Sequence, residues 1–145
     1  MDLSNRKGKY MEKWIEVCKG RIPNDIYVVR LENGEENGLL IKLEGNKYEV
    51  LLSFGIIPAM RMIEEGTLLM EGVSGEEMDK YSVDHFPNVI YQIVDGEFGG
   101  QVEKMYGQLY KILKLNHYII ITLNYVIEII SDEEPTIEVK ECFQK

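Results

Sequence analysis

Cysteine is almost missing from this chain: Cys18 and Cys142 are the only two in 145 residues. One distant pair excludes a disulfide framework, and no Cys-x-x-Cys motif is present for zinc or thiol redox chemistry. The expectation is two free thiols in a reducing cytoplasm. Histidine is equally scarce. His85 and His117 stand alone, with neither His-x-His nor His-x-x-x-His spacing, so a metal site would need distant segments. Long apolar runs are lacking as well. The longest, Tyr118 to Ile130, is interrupted by Thr122, Asn124 and Glu128. A spanning helix needs about twenty apolar residues, so this run reads as paired strands. The polar opening MDLSNRKGKY has no signal-peptide pattern. These absences predict a soluble cytoplasmic protein with no membrane contact, cofactor or metal.

Positive charge is the other deficit, since 25 Asp and Glu oppose 16 Lys and Arg, for a net charge of −9. Residues 1–30 carry seven basic against four acidic side chains, but residues 31–100 carry four against fourteen. An acidic middle repels phosphate backbones and disfavours direct nucleic-acid binding, while it attracts basic partners. The plainer reading is that the charge keeps the protein soluble. Apolar residues at 45% and charged residues at 28% are those of an ordinary globular chain, and the length suits one domain. Residues 1–8 read as a flexible tail, and Met11 is an alternative start.

The pattern along the chain predicts an α+β domain. It has a mostly antiparallel sheet of six to seven strands, an N-terminal helix and one or two further short helices. The helix is expected from Arg6 to Lys19, because Met11, Trp14, Ile15 and Cys18 recur at helical spacing before Gly20 and Pro23. Asp25–Glu32 reads as a strand. Leu39–Glu44 and Lys47–Phe54 flank Gly45-Asn46, a two-residue hairpin signal. That turn predicts pairing of Glu44 with Lys47, Lys42 with Glu49 and Leu40 with Leu51. Leu43–Tyr48, Ile41–Val50 and Leu39–Leu52 would then share the core face, with the opposite charges outside. Ile56–Met70 is ambiguous, since propensity favours helix but the stretch could continue as strand. Glu71–Phe86 reads as loop. Asn88–Val94 reads as a strand closed by Asp95-Gly96. Phe98, Val102, Met105, Tyr106 and Leu109 keep helical spacing despite nearby glycines. Tyr118–Ser131 reads as two central strands turning near Leu123-Asn124, and Thr136–Val139 as a last strand.

Enzymatic signatures are few. Gly96-Glu97-Phe98-Gly99-Gly100 matches neither a phosphate loop nor a dinucleotide fingerprint and reads as a turn opening a helix. Ser74 lacks the context of a nucleophile elbow. The Thr122/Tyr125 register makes Glu128 a diagonal neighbour of His117, which allows an acid–base pair. The plainer role is a strand-end histidine bonded to backbone or loop. Arg61, in apolar surroundings, reads as half of a structural ion pair with Glu64 nearby. Adjacent acids are usually solvated surface, yet acidic loops on a rigid sheet also suit capture of a basic protein. The partner-binding candidates are therefore Glu32, Glu35, Glu36, Glu76, Glu77, Asp79, Asp132, Glu133 and Glu134, with no catalytic residue assigned.

Phe54 followed by Ala59, Arg61, Glu64, Glu65 and Gly66, the strand Val89–Val94, His117-Tyr118, and Ile127-Glu128-Ile129 before Glu134-Pro135 span roughly the last two-thirds of the chain. On these residues the chain resembles small bacterial immunity proteins of polymorphic and contact-dependent toxin systems. The resemblance implies an inhibitor that occludes one cognate toxin domain, many such toxins being nucleases with basic clefts. It implies no catalytic residue, and it favours strand over helix at Ile56–Met70. The alternatives are a structural or interaction subunit, or an enzyme using His117 or His85.

Overall fold

The computed structural model describes residues 12–64 and 88–142. Nine strands and two helices occur among them: β1 (Lys13–Glu16), β2 (Val28–Gly34), β3 (Gly38–Glu44), β4 (Tyr48–Gly55), β5 (Ala59–Glu64), β6 (Ile90–Val94), α1 (Glu97–Tyr106), α2 (Leu109–Ile112), β7 (Asn116–Ile121), β8 (Tyr125–Ser131) and β9 (Thr136–Glu141). A five-stranded sheet has the order β1-β6-β7-β8-β5, and a four-stranded sheet the order β2-β3-β4-β9. Every pairing is antiparallel. None of the described helices is long and apolar enough to cross a membrane.

The two sheets share one core. Leu39, Ile41 and Leu43 of β3, with Val50, Leu52 and Phe54 of β4, cluster with Ile90, Tyr118, Ile120, Ile127 and Ile129 from the five-stranded sheet. Alternation along β3 and β4 leaves their outer faces half exposed, which is the period-two pattern of a sheet packed on one side. The five-stranded sheet is different. Its central strands β7 and β8 are buried on both faces, because their outer face carries a second layer of packing. There Trp14, Tyr91, Ile93, Ile119 and Val126 form one cluster, while Val102 of α1 packs with Leu115 and Ile130 in another. Strands β7 and β8 turn at Leu123-Asn124, and Thr122 N–H donates to the Tyr125 carbonyl at 2.9 Å. Their central position is thus as expected from sequence, as are β6, its Asp95-Gly96 stop and the strand at Thr136.

The N-terminal helix is corrected: residues 13–16 are the edge strand β1, paired with β6. Trp14 and Ile15 point to opposite faces, Trp14 buried and Ile15 exposed. Apolar spacing over so short a stretch fits either period, and sheet hydrogen bonds together with burial of the indole decide for strand. With β1 here and β5 below, the strand count among the described residues rises to nine.

The hairpin register is also corrected. Glu44 pairs with Glu49, Leu43 with Val50 and Ile41 with Leu52, so the turn residues are Asn46 and Lys47. The cause is Asp25. Its carboxylate accepts the N–H groups of Lys47 at 2.8 Å and Tyr48 at 3.3 Å, and it lies where a side chain on Gly45 would have to go. Burial pushes the Asp25 carboxyl up, but the amides of Lys47, Ile26, Asn46 and Tyr48 together hold it below its ordinary value. A shift of two residues preserves which side chains face inward, so the core face is as expected while the charge pairs change. Glu44 meets Arg30 at 3.6 Å and Lys42 at 4.0 Å instead of Lys47.

Residues 59–64 are strand, against helix propensity, because β8 offers Ala59 and Met60 a fully buried neighbour strand. The helical spacing from Phe98 produces α1, and Gly107 ends it at positive φ. The expected loop at 71–86, the tail at 1–8 and the residues 6–11 of the expected helix lie outside the described residues.

Candidate functional site

Register arithmetic assembles a polar array on the outer face of the five-stranded sheet. Arg61 of β5 is directly opposite Glu128 of β8, and Glu128 is directly opposite Ile119 of β7. His117, two residues before Ile119, is therefore the diagonal neighbour of Glu128 and shares its face. The Glu128 carboxylate serves both side chains: Arg61 Nε donates to Oε2, and His117 Nε2 lies 2.8 Å from Oε1. Arg61 thus pairs with Glu128, not with Glu64 as sequence proximity suggested. His117 is bound to a side chain rather than to backbone or loop.

Glu128 and His117 are both buried, His117 at 3% exposure. Burial pushes the Glu128 carboxyl up, but the His117 hydrogen bond and the charges of His117 and Arg61 outweigh it and hold Glu128 below the ordinary carboxylate value. An ionised Glu128 can only accept, so His117 donates through Nε2–H. The other ring nitrogen, Nδ1, is buried without a hydrogen-bond partner.

That nitrogen faces the first turn of α1. A Cβ on Gly96 would stand 2.8 Å from Nδ1, and one on Gly99 would stand 3.0 Å away. A side chain on Gly96 has no room unless its neighbours shift, and one on Gly99 would require the imidazole to give by a few tenths of an ångström, so glycine at both places lets the helix lie this close. Phe98, between them, meets the His117 ring edge-on at 5.7 Å, and the Arg61 guanidinium lies over the Phe98 ring at 4.9 Å. Glu12 adds a second carboxyl near the array. Burial pushes it up, the hydrogen bond from Trp14 Nε1 at 2.7 Å draws it down, and the negative charge of Glu128 pushes it up again. The net result lies above its ordinary value.

A histidine held by a carboxylate is the chemical core of general acid–base sites, provided the free nitrogen can reach a reacting atom. Here α1 lies across that nitrogen. The opposite charges of Arg61 and Glu128 cancel within the array, and the aromatic stack joins it to α1. The arrangement therefore fastens α1 to the sheet. Among the described residues, no group of three or more His, Cys, Asp and Glu could hold a metal ion.

The acidic candidates gather elsewhere. Glu32 lies two residues before the end of β2, and Glu35 and Glu36 lie in the exposed β2–β3 loop. Asp132, Glu133 and Glu134 form the β8–β9 connection. Leu39 pairs with Gly55, and Ser53 pairs with Thr136. Both loops consequently emerge at the same end of the four-stranded sheet, on either side of β4, about 10 Å apart by strand spacing. Ile56 follows β4 between them and is 76% exposed. Ser131 Oγ accepts the Glu133 N–H at 3.3 Å and donates to the Glu133 carbonyl at 3.0 Å, which fixes the second loop. Glu134 is turned back, accepting the Cys18 thiol proton at 3.1 Å. Burial, followed by that carboxylate, pushes the Cys18 thiol up to about 12, so it is not a reactive thiolate. Glu76, Glu77, Asp79 and His85 lie outside the described residues.

Reasoning from sequence missed Glu12, Phe98, Gly96 and Gly99 as members of the array. The only signal for the glycines was their place around Phe98 at a helix start, which explains a turn without revealing a close approach. No family model matches the chain, and neither a curated protein nor a solved structure matches it.

Proposed function

We propose that this protein is a non-catalytic inhibitor that binds a basic protein partner, in the manner of an immunity protein occluding a toxin domain, through the end of the sandwich that carries Ile56. The observation that carries this reading is the exposed isoleucine flanked by two acidic loops on rigid strand ends. Interfaces commonly set an apolar anchor inside a polar rim, and complementary charge speeds encounter and selects the partner. A nuclease cleft, built to bind phosphate, matches such an acidic rim. The internally cancelled charges of the His117–Glu128–Arg61 array, closed over by α1, fit a structural role better than turnover.

The test is affinity capture of the tagged protein from lysate of its source organism at low and moderate salt, followed by assay of the captured partner's activity. One stoichiometric basic partner, held less tightly at higher salt and inhibited on titration, is the expected result. Ile56→Asp, and separately the reversal Glu35→Lys with Glu36→Lys, should each weaken capture at least tenfold. Recovery of a diffuse set of proteins, or of a partner indifferent to both variants, would overturn the reading.

A further inference from the structure

The four-stranded sheet ends in β2 on one side and β9 on the other, and among the described residues neither has a further strand beside it. Free edges are templates for pairing, and proteins normally block them with bulges, prolines or covering elements. The edge of β2 is partly blocked, because the Leu123 N–H of the β7–β8 turn donates to the Tyr27 carbonyl at 2.8 Å. The register of β9 on β4 runs without a bulge from Thr136 to Glu141.

The direction of the backbone groups on β9 follows from one hydrogen bond. Cys142 N–H donates to the Lys47 carbonyl at 2.7 Å, so residue 142, and by alternation 140, 138 and 136, bond inward to β4. Ile137, Val139 and Glu141 therefore turn their N–H and C=O groups to the open edge. A second copy of β9, antiparallel about a two-fold axis, could satisfy them in three neighbouring registers. Centring on residue 138 sets Glu138 against Glu138. Centring on residue 140 sets Lys140 against Lys140. Centring on Val139 sets each Glu138 against the other copy's Lys140 in the closer, non-hydrogen-bonded position, twice by symmetry.

We propose that this protein forms a two-fold dimer by antiparallel pairing of β9 with β9 centred on Val139, which joins two four-stranded sheets into one of eight strands. Val139 lies on the core side of its sheet, opposite Val50, yet it is 43% exposed. Pairing covers it with its own symmetry mate. The β2 edge carries a similar Arg30-Leu31-Glu32 sequence, but Arg30 is engaged with Glu44 and Leu31 already packs on the core. The exposed apolar residues of α1 and α2, such as Met105 and Ile112, offer a different surface. The β9 dimer leaves both Ile56 ends open, pointing in opposite directions.

The experiment is sedimentation equilibrium of the full chain and three variants, with thermal melts to establish that each is folded. Glu138 and Lys140 are exposed, so their exchange leaves the core untouched. The wild type should sediment at twice the 16.8 kDa chain mass. Glu138→Lys and Lys140→Glu should each raise the dimer dissociation constant at least tenfold, because each places two like-charged pairs face to face. The double exchange Glu138→Lys with Lys140→Glu should return it to within a few fold of wild type. A monomeric wild type at millimolar concentration overturns the proposal. So does a dimer that both single variants leave intact, and so does failure of the double exchange to restore association.

Discussion

Removing the Glu128 carboxylate should destabilise the protein more than any other single change to a charged group among the described residues. Glu128→Ala leaves His117 and Arg61 facing a buried gap with no acceptor. Two charge-assisted hydrogen bonds are lost, each worth about 1.5–3 kcal/mol. Breaking a buried pair by removing one partner costs about 3–5 kcal/mol in total. That is a large share of the roughly 5–15 kcal/mol that holds a domain of this size together. Glu128→Gln keeps the volume and one acceptor, so its loss should be about half as large and it should fold even where the alanine variant does not. Urea unfolding of wild type and both variants at pH 7 measures these values.

The pH dependence gives the same experiment a second, independent readout. Glu128 is held below its ordinary value of 4.5 in the folded state, so the unfolded chain binds its proton more readily. Such a group stabilises the fold fully above the unfolded value, and the stabilisation disappears as pH falls through the folded value. The gap between wild type and Glu128→Gln should therefore be constant from pH 7 to about 5 and close below about 4.5. Glu12, which burial pushes up, acts in the opposite sense, and subtracting the variant from wild type at each pH removes its direct contribution. A loss below about 1 kcal/mol for the alanine variant would refute the claim that a buried charge pair joins these strands. A gap that stays constant down to pH 3 would refute the sign of the Glu128 shift.

Gly96→Ala places a methyl group 2.6 Å from Ile93 Cγ2 and 2.8 Å from His117 Nδ1, neither of which can swing aside, and should cost about 1–3 kcal/mol in a thermal melt. A variant as stable as wild type would mean that α1 stands further from the sheet than described. Asp25→Ala removes the acceptor that fixes the Asn46–Lys47 turn and should cost about 1 kcal/mol at pH 7. Because Asp25 is held below its ordinary value, that difference should vanish in strong acid, and an unchanged urea midpoint at pH 7 would count against the turn assignment. Gly38→Ala adds a Cβ into the backbone of Gly55 and Ile56 at a position with φ of +69°, and its conformational strain alone is about 1–2 kcal/mol. It should lower stability beyond that figure, and a neutral effect on the melt would mean that Gly38 stands further from Gly55 and Ile56 than described.

Period-two patterns were readable wherever one face of a strand meets solvent. Leu39, Ile41 and Leu43 alternate with Leu40, Lys42 and Glu44, so the inward face of β3 follows from sequence even though the turn position did not. Gly45-Asn46 has the composition of a tight turn, but composition cannot show that Asp25, twenty residues upstream, accepts the amides one step further on. The stretch from Met11 to Cys18 misleads for a related reason. Four apolar residues fit a helical stripe, while the strand that exists needs β6, nearly eighty residues away, to give Trp14 its place. Local pattern decides the structure of a segment only when no distant strand competes for it.

The candidate array was half visible for a reason that can be stated in register terms. The β7–β8 turn at Leu123-Asn124 is local, so it fixes His117 and Glu128 as diagonal neighbours without knowledge of the rest of the fold. Arg61 reaches the same carboxylate only because β5 lies on the far side of β8, a topological fact with no local signature. The same limit hides the role of Gly96 and Gly99, whose missing side chains matter because a helix from one segment rests on a histidine from another. Charge at the surface and charge in the array therefore differ in how much sequence reveals. The loop acids at Glu35, Glu36, Asp132 and Glu133 stay exposed wherever their strands lie. Glu128 acquires its function from three strands and a helix that must all be in place before its two partners meet it.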